Sequence, residues 1–248
     1  MRFLILSDIH SNLEALNTVL EQAAGQYDQV LCCGDIVGYG PDPNAVVERV
    51  REFHPQVIRG NHEKAALGMV DLSLFNPLAK RAALWTQGEL EASNRSYLAS
   101  IQAGPLDVPP LTLVHGSLLD EDQYLIDLED ALESFPLARY PVTFFGHTHV
   151  QGGFVRLQDG RAGLLNPEIK RGSSESQLHI DPEQRYLVNP GAVGQPRDYD
   201  SRAAFVIYDT EAQLVRYFRT SYPIERTQAK MVAAQLPQYL IDRLSLGR

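Results

Sequence analysis

The sequence predicts an α/β fold built around a parallel sheet, and three observations carry that expectation. Up to Arg59, short apolar runs alternate with amphipathic stretches in the order strand, helix, strand, helix, strand. That spacing leaves room for right-handed crossovers and suits parallel rather than hairpin pairing. Each predicted strand of the sheet also runs out into an ionisable or polar residue, as strands converging on one ligand crevice do.

Arg2 to Ser7 is the first strand. The stretch from Asn12 to Ala24 places Leu13, Leu16, Val19 and Leu20 on one helical face. Gln29 to Cys33 forms a second strand, Asn44 to Phe53 a helix introduced by Pro41 and Pro43, and Gln56 to Arg59 a third strand. From about Asn76 to Ile101 the sequence reads as helix, carries the single Trp85 and is expected to cap one side of the sheet. Strands follow at Leu111 to Val114 and Val142 to Phe145, separated by an acidic helical stretch around Asp127 to Ser134. Phe154 to Leu165, turning at Asp159-Gly160, reads as a hairpin. Tyr186 to Val188, Ala203 to Tyr208 and Leu214 to Thr220 continue the β-rich pattern. Residues 168 to 177, rich in Ser and charge, are expected to form a mobile loop, and Ile224 to Leu246 a helix containing Pro237.

Composition bounds the rest. The chain has 248 residues, 44% hydrophobic and 21% charged, which suits a globular protein and excludes a disordered one. No repeat or low-complexity tract divides it, so one domain over 1–248 is expected, with a helical tail at about 224–248. No apolar run approaches the ~20 residues of a membrane span. Strand-forming sequence begins at Met1 with no signal-peptide pattern, so a cytoplasmic address is expected. Cys32 and Cys33 are adjacent, form no CxxC motif and read as packing residues. A net charge of −9 disfavours coating long nucleic acids through bulk charge.

The chemistry gathers at the strand ends. The five strands lead into Asp8-Ile9-His10, Gly34-Asp35, Gly60-Asn61-His62-Glu63, His115-Gly116 and Gly146-His147-Thr148-His149. Five of the seven histidines therefore point at one place, and only His54 and His179 lie elsewhere. Taken singly, each signal has an ordinary reading: Asp35 as a turn or capping aspartate, or His147 and His149 as an exposed pair. Together they supply oxygen and imidazole ligands without thiolate, a set suited to Mn, Fe, Zn or Ni. One bridging carboxylate would let them hold two divalent ions, a recurrent device for activating water and stabilising charge in displacement at phosphorus.

In order and spacing these blocks resemble the five blocks of the calcineurin-like metallophosphoesterases. The stretch Asn189-Pro190-Gly191-Ala192-Val193-Gly194-Gln195-Pro196-Arg197 is similar to the small bacterial and archaeal branch described as YfcE-like or diadenosine-tetraphosphatase-like. The resemblance covers about residues 1 to 210 and implies a four-layer α/β/β/α sandwich of two mixed sheets. It implies that Asp8, His10, Asp35 and His149 hold one metal ion, and that Asp35, Asn61, His115 and His147 hold the other. His62 would then be the catalytic histidine beside the leaving group. Glu63 departs from the more usual aspartate of its block, at a position that orients rather than ligates.

The implied activity is two-metal hydrolysis of phosphodiester or phosphomonoester bonds in small molecules or nucleotides. The alternatives are a catalytically silent scaffold on the same fold, or a protein phosphatase or nuclease. Tyr39 is a candidate to touch substrate, against a turn aromatic packing locally, while Arg59 and Arg197 could grip a second phosphate, against an arginine pairing with nearby Asp198 or Asp200. The stripe of Leu236, Leu240, Ile241 and Leu244 reads as core or as a homodimer surface. The negative total charge does not bar phosphate, because two divalent ions beside Asp8 and Asp35 would reverse the local sign.

Overall fold

The structure, a computed structural model, describes residues 1–169 and 173–248. Its strands form two six-stranded mixed sheets. The first contains β1 (Arg2–Leu6), β2 (Gln29–Cys32), β3 (Gln56–Val57), β9 (Glu175–His179), β11 (Ala203–Asp209) and β12 (Leu214–Thr220), in the order β3-β2-β1-β11-β12-β9. The second contains β4 (Leu106–Val108), β5 (Leu111–Leu113), β6 (Val142–Phe144), β7 (Gly152–Arg156), β8 (Ala162–Leu165) and β10 (Arg185–Asn189), in the order β4-β5-β6-β10-β7-β8. β1, β2 and β3 are parallel to one another, as are β5, β6 and β10. Parallel pairing forces the long crossovers that the sequence carries as helices.

Alternation along the strands builds the layers. In β1, Phe3 and Ile5 face the second sheet, whereas Leu4 and Leu6 face helices. β11 repeats the pattern with Val206 and Tyr208 inward and Phe205 and Ile207 outward. Leu111, Leu113, Phe144 and Val188 answer from the second sheet and close the inner core. Each such fully buried side chain contributes roughly 1.5–3 kcal/mol. Outside the first sheet lie α1 (Leu13–Ala23), α2 (Pro43–Glu52) and α5 (Ala92–Ser100), which contribute Leu16, Val47 and Leu98. The Asn12 side chain starts α1 by accepting from Ala15 N at 3.1 Å. α6 (Leu128–Ser134) covers the outer face of the second sheet, with Ala131 packed among Phe145, Phe154 and Leu187. The four-layer sandwich is therefore present.

Several expectations are corrected. The helix expected from Asn76 to Ile101 is two, α4 (Pro77–Glu89) and α5, because Leu90 and Glu91 adopt extended backbone between them. Trp85 packs with the C-terminal helices rather than on the sheet. The last helix is also split, into α7 (Ile224–Ala233) and α8 (Gln238–Leu246), with Pro237 capping α8. Part of the loop expected at 168–177 is strand, since β9 begins at Glu175 and pairs with β12; residues 170–172 lie outside the described residues. β4 was not expected, nor was α3 (Asn61–Leu67). The third strand is shorter than expected because Arg59 N turns away to Gln102 O at 2.9 Å. The stripe of Leu236, Leu240, Ile241 and Leu244 is buried within the chain, against Tyr39 and Ala79 and Ala82 of α4. No helix among the described residues is long and apolar enough to cross a membrane.

Candidate metal centre

The carboxyl ends of β1, β2 and β3 and of β5 and β6 open on the same edge of the sandwich. There Asp8, His10, Asp35 and His149 form one buried group, and Asp35, His115 and His147 a second, with ligand atoms within 4.8 Å inside each. Asp35 belongs to both. Asn61 joins the second group, its Oδ1 standing 3.2 Å from His115 Nε2. All seven residues proposed from the sequence as ligands are thus brought together.

The backbone fixes these side chains at a cost. Asp8, His10, Asp35, His147 and His149 all have φ between 47° and 66°, the left-handed region that non-glycine residues rarely occupy. Such residues cost about 1 kcal/mol or more each and persist where the surroundings overdetermine them. Here the surroundings are hydrogen bonds: Asp8 N donates to Gly34 O, His10 N to Asp35 O, and His147 N to the Asp8 carboxylate at 3.1 Å. Glycine is required beside them. A Cβ on Gly60 would lie 2.2 Å from Asp35 Oδ1, and one on Gly38 would lie 2.3 Å from His62 Nδ1.

The histidine tautomers are set by second partners, as metal-binding imidazoles require. His10 Nδ1 donates to Val37 O at 3.0 Å, His115 Nδ1 to Cys33 O at 2.8 Å and His149 Nδ1 to Gln195 O at 2.6 Å. His10 and His149 therefore each turn an Nε2 lone pair inward, whereas the His115 Nε2 faces the Asp35 carboxylate at 3.4 Å and keeps a proton until a cation displaces it. His147 is reversed: its Nε2 donates to Asp122 O at 3.0 Å, leaving Nδ1 for the centre. His10 Nε2 and His149 Nε2 face one another at 3.1 Å, with His149 Nε2 3.3 Å from Asp8 Oδ1. Two imidazole lone pairs and a carboxylate converging in a buried space suit a cation, so the residues present fit divalent metal ions.

Charge at the centre agrees. Burial, reinforced by Asp35, raises Asp8 to about 7. Burial would raise Asp35 as well, but the charged His115 beside it holds it well below its ordinary value. Burial opposes a proton on His115, yet the Asp35 carboxylate 3.4 Å away raises it to about 10. Burial keeps His10 and His149 neutral, well below their ordinary value.

His62 stands on the first turn of α3, its backbone N donating to Asp35 Oδ1 at 2.9 Å. Its ring packs edge-on to His10 and 4.3 Å from the Tyr39 ring centre. Burial lowers it to about 4, so it is neutral near pH 7. Its Nδ1 is buried against Gly38 with no partner, which leaves Nε2 as the nitrogen available to the cleft. A cleft of 370 Å³ opens here, bordered by Tyr39, Asn61, His62, Phe75, Tyr124 and His147. A groove of 420 Å³ on the other side of Tyr124 is mostly apolar and holds no ligand residue.

Of the proposed substrate contacts, Tyr39 borders this cleft. Arg197 lies 5.7 Å from the Tyr39 ring, whereas Arg59 reaches away to Glu121 at 3.4 Å. Asp198 pairs with Arg219 and Asp200 with Arg202, so neither neutralises Arg197. The resemblance gave Glu63 an orienting role, and the structure shows its contacts; the supports from Lys64, Asn189 and Tyr124 were not foreseen. Glu63 accepts from Asp35 N, Gly60 N and Ile36 N at 2.8 Å and from Val37 N at 3.2 Å, clamping the bridging aspartate's loop to α3. Buried Lys64 holds the Asp122 carboxylate at 2.6 Å, and with it the segment whose carbonyl orients His147. Asn189 donates to Gly146 O and Thr148 Oγ1 at 3.0 Å and steadies the loop of His147 and His149. Tyr124 stacks on His147 at 3.8 Å. The block Asn61-His62-Glu63-Lys64 carried the signal for Lys64, as the last of consecutive polar residues at a helix start.

Comparison with known proteins agrees with this geometry. Residues 1–213 match the family model of the calcineurin-like phosphoesterase superfamily domain, and the chain belongs to that superfamily. It is 34% identical to the uncharacterized protein MJ0912 of Methanocaldococcus jannaschii, over 98% of this chain and 97% of that one. A metallophosphoesterase from Sphaerobacter thermophilus is 39% identical, covers 100% of this chain and 99% of its own, and superposes with a TM-score of 0.85. The hypothetical protein PH1004 from Pyrococcus horikoshii shares the fold at 18% identity, with a TM-score of 0.78 over 100% of this chain and 98% of its own.

Proposed function

We infer that the protein is a two-metal phosphoesterase that hydrolyses phosphodiester or phosphomonoester bonds of small molecules or nucleotides. The observation that supports this most is Asp35, one buried carboxylate shared by two ligand groups whose imidazole nitrogens face inward. Asp8, His10, Asp35 and His149 would hold one divalent ion, and Asp35, Asn61, His115 and His147 the other. When bound, two such ions supply an activated water and neutralise charge on the phosphoryl oxygens. His62 sits beside the space where the ester would lie, and its Nε2 is placed to donate to the departing oxygen. Tyr39, Phe75 and Tyr124 give the cleft aromatic walls against which the organic part of the substrate can pack. The Arg197 guanidinium lies over the Tyr39 ring that borders the cleft, where it is suited to a phosphate oxygen. The reading is tested with protein reconstituted with Mn, Ni or Co and assayed on bis(p-nitrophenyl) phosphate and p-nitrophenyl phosphate. Hydrolysis dependent on added metal is expected, with most of it lost in His62→Asn; activity that survives chelation and tolerates that change would defeat the reading.

A further inference from the structure

We propose that Ser7 is a positioning residue of the metal centre: its hydroxyl holds one oxygen of Asp8, so that only the other oxygen faces the cation. The proposal rests on the metal-centre reading and adds to it a determinant of which cation the Asp8 half accepts.

Ser7 stands between the end of β1 and Asp8, and both residues are fully buried. Its Oγ donates to Asp8 Oδ2 at 2.7 Å. The same Oδ2 accepts from His147 N at 3.1 Å, so two donors take up its lone pairs. Asp8 Oδ1 shares the His147 N–H at 3.2 Å and is otherwise turned to the imidazoles. His149 Nε2 lies 3.3 Å from it and His10 Nε2 3.9 Å.

Serine hydroxyls commonly bond to their own or neighbouring backbone groups. Here the backbone is already satisfied without the hydroxyl. Ser7 O accepts from Val193 N at 3.0 Å, Asp8 O accepts from Gly194 N at 2.9 Å, and Asp8 N donates to Gly34 O at 3.0 Å. Among the described residues the hydroxyl has one hydrogen-bond partner, the Asp8 carboxylate. The loop from the second sheet is shaped around that contact. A Cβ on Gly146 would overlap Ser7 Oγ and lie 2.9 Å from Asp8 Oδ2, so the backbone before His147 closes directly on the pair.

The consequence is a choice of cation. One Asp8 oxygen with the imidazoles of His10 and His149 makes a mixed nitrogen and oxygen set, which suits Mn, Fe, Zn or Ni. Calcium takes more oxygen ligands and often both oxygens of one carboxylate. Freeing Oδ2 would let Asp8 offer both, so the Ser7 hydroxyl works against calcium while it serves the smaller ions. Its reach is this half of the centre, because the other group draws on Asp35, Asn61, His115 and His147.

The test reads binding rather than hydrolysis. Full-length protein freed of metal by a chelator is titrated with Mn in a calorimeter, native beside Ser7→Ala, and urea midpoints of the chelated forms establish that both are folded. One of two Mn equivalents is expected to weaken about tenfold or more in Ser7→Ala, the usual cost of losing an outer partner of a ligand, and the other less than about threefold. Calcium is then titrated into the Mn-loaded forms. The preference of the weakened equivalent for Mn over calcium is expected to shrink at least tenfold, a change that a merely structural hydroxyl would not produce. Native-like affinity for both equivalents in Ser7→Ala, equal weakening of both, or an unchanged preference over calcium would overturn the proposal and leave the metal centre standing. Native protein that takes up no Mn would strike the metal-centre reading, and the proposal with it.

Discussion

His10 Nε2 and His149 Nε2 face each other at 3.1 Å in a buried space, and both nitrogens carry lone pairs because their Nδ1 protons are already given to Val37 O and Gln195 O. No hydrogen bond can form between two acceptors, so the contact is repulsive until a cation lies between them. The two residues come from loops 139 positions apart in sequence, which makes the approach a product of the whole sandwich rather than of either loop.

That repulsion predicts a large response to metal. Anything that binds only the folded state stabilises it, by about 4 kcal/mol at a thousandfold excess over its dissociation constant. Added Mn is expected to raise the melting temperature of chelator-treated protein by several degrees, and His149→Ala to lose most of the increment. Differential scanning calorimetry with and without the ion measures it.

Metal-free protein has its own pH dependence, set by His115. Its pKa rises from an ordinary 6.5 to about 10 beside Asp35, so the folded state keeps a proton that the unfolded chain has lost. Stability from this group is full below the unfolded value and is lost as pH climbs toward the folded one. Between about pH 7.5 and about pH 8.5 the chelated protein is expected to lose up to about 1.4 kcal/mol, and His115→Gln to show no such slope. With saturating metal the ion replaces the proton and the native slope should flatten. Urea midpoints at both pH values decide it.

Glu63 is expected to matter for stability before it matters for chemistry. Its two carboxylate oxygens accept four backbone N–H groups from the Asp35 loop and the start of α3. Glu63→Ala leaves those buried donors without partners, at roughly 1–3 kcal/mol for each one that finds no water. A loss of about 3 kcal/mol or more in chelated protein is expected by urea denaturation; a change below about 1 kcal/mol would show that the clamp is dispensable.

Lys64 acts on one half of the centre. It holds Asp122, and the Asp122 carbonyl fixes the His147 ring with Nδ1 inward. Loss of such outer partners typically weakens metal binding 10–100-fold. Lys64→Met is therefore expected to weaken one of two Mn equivalents by about tenfold or more in a calorimetric titration, with the other much less affected.

The parallel β1-β2-β3 unit was legible because apolar runs and amphipathic faces alternate there with little ambiguity. The ligand residues were legible because each follows a strand, and strand ends meet by topology. α3 was not, since Asn61 to Leu67 is too short for a helical period to emerge and its start is disguised as a ligand block. The breaks at Leu90 and before Pro237 were read through, because the flanking apolar pattern stays in phase across them. The tautomers of the histidines were equally hidden, being set by backbone carbonyls of Val37, Cys33, Asp122 and Gln195.

The central claim is that Asp35 is shared by two cations. Metal content of reconstituted, desalted protein, measured by inductively coupled plasma mass spectrometry together with hydrolysis of bis(p-nitrophenyl) phosphate, tests it most directly. Two equivalents of divalent metal are expected in the native protein, and at most one in Asp35→Asn, with hydrolysis reduced at least a hundredfold. Two tightly held equivalents and near-native turnover in Asp35→Asn would contradict the account.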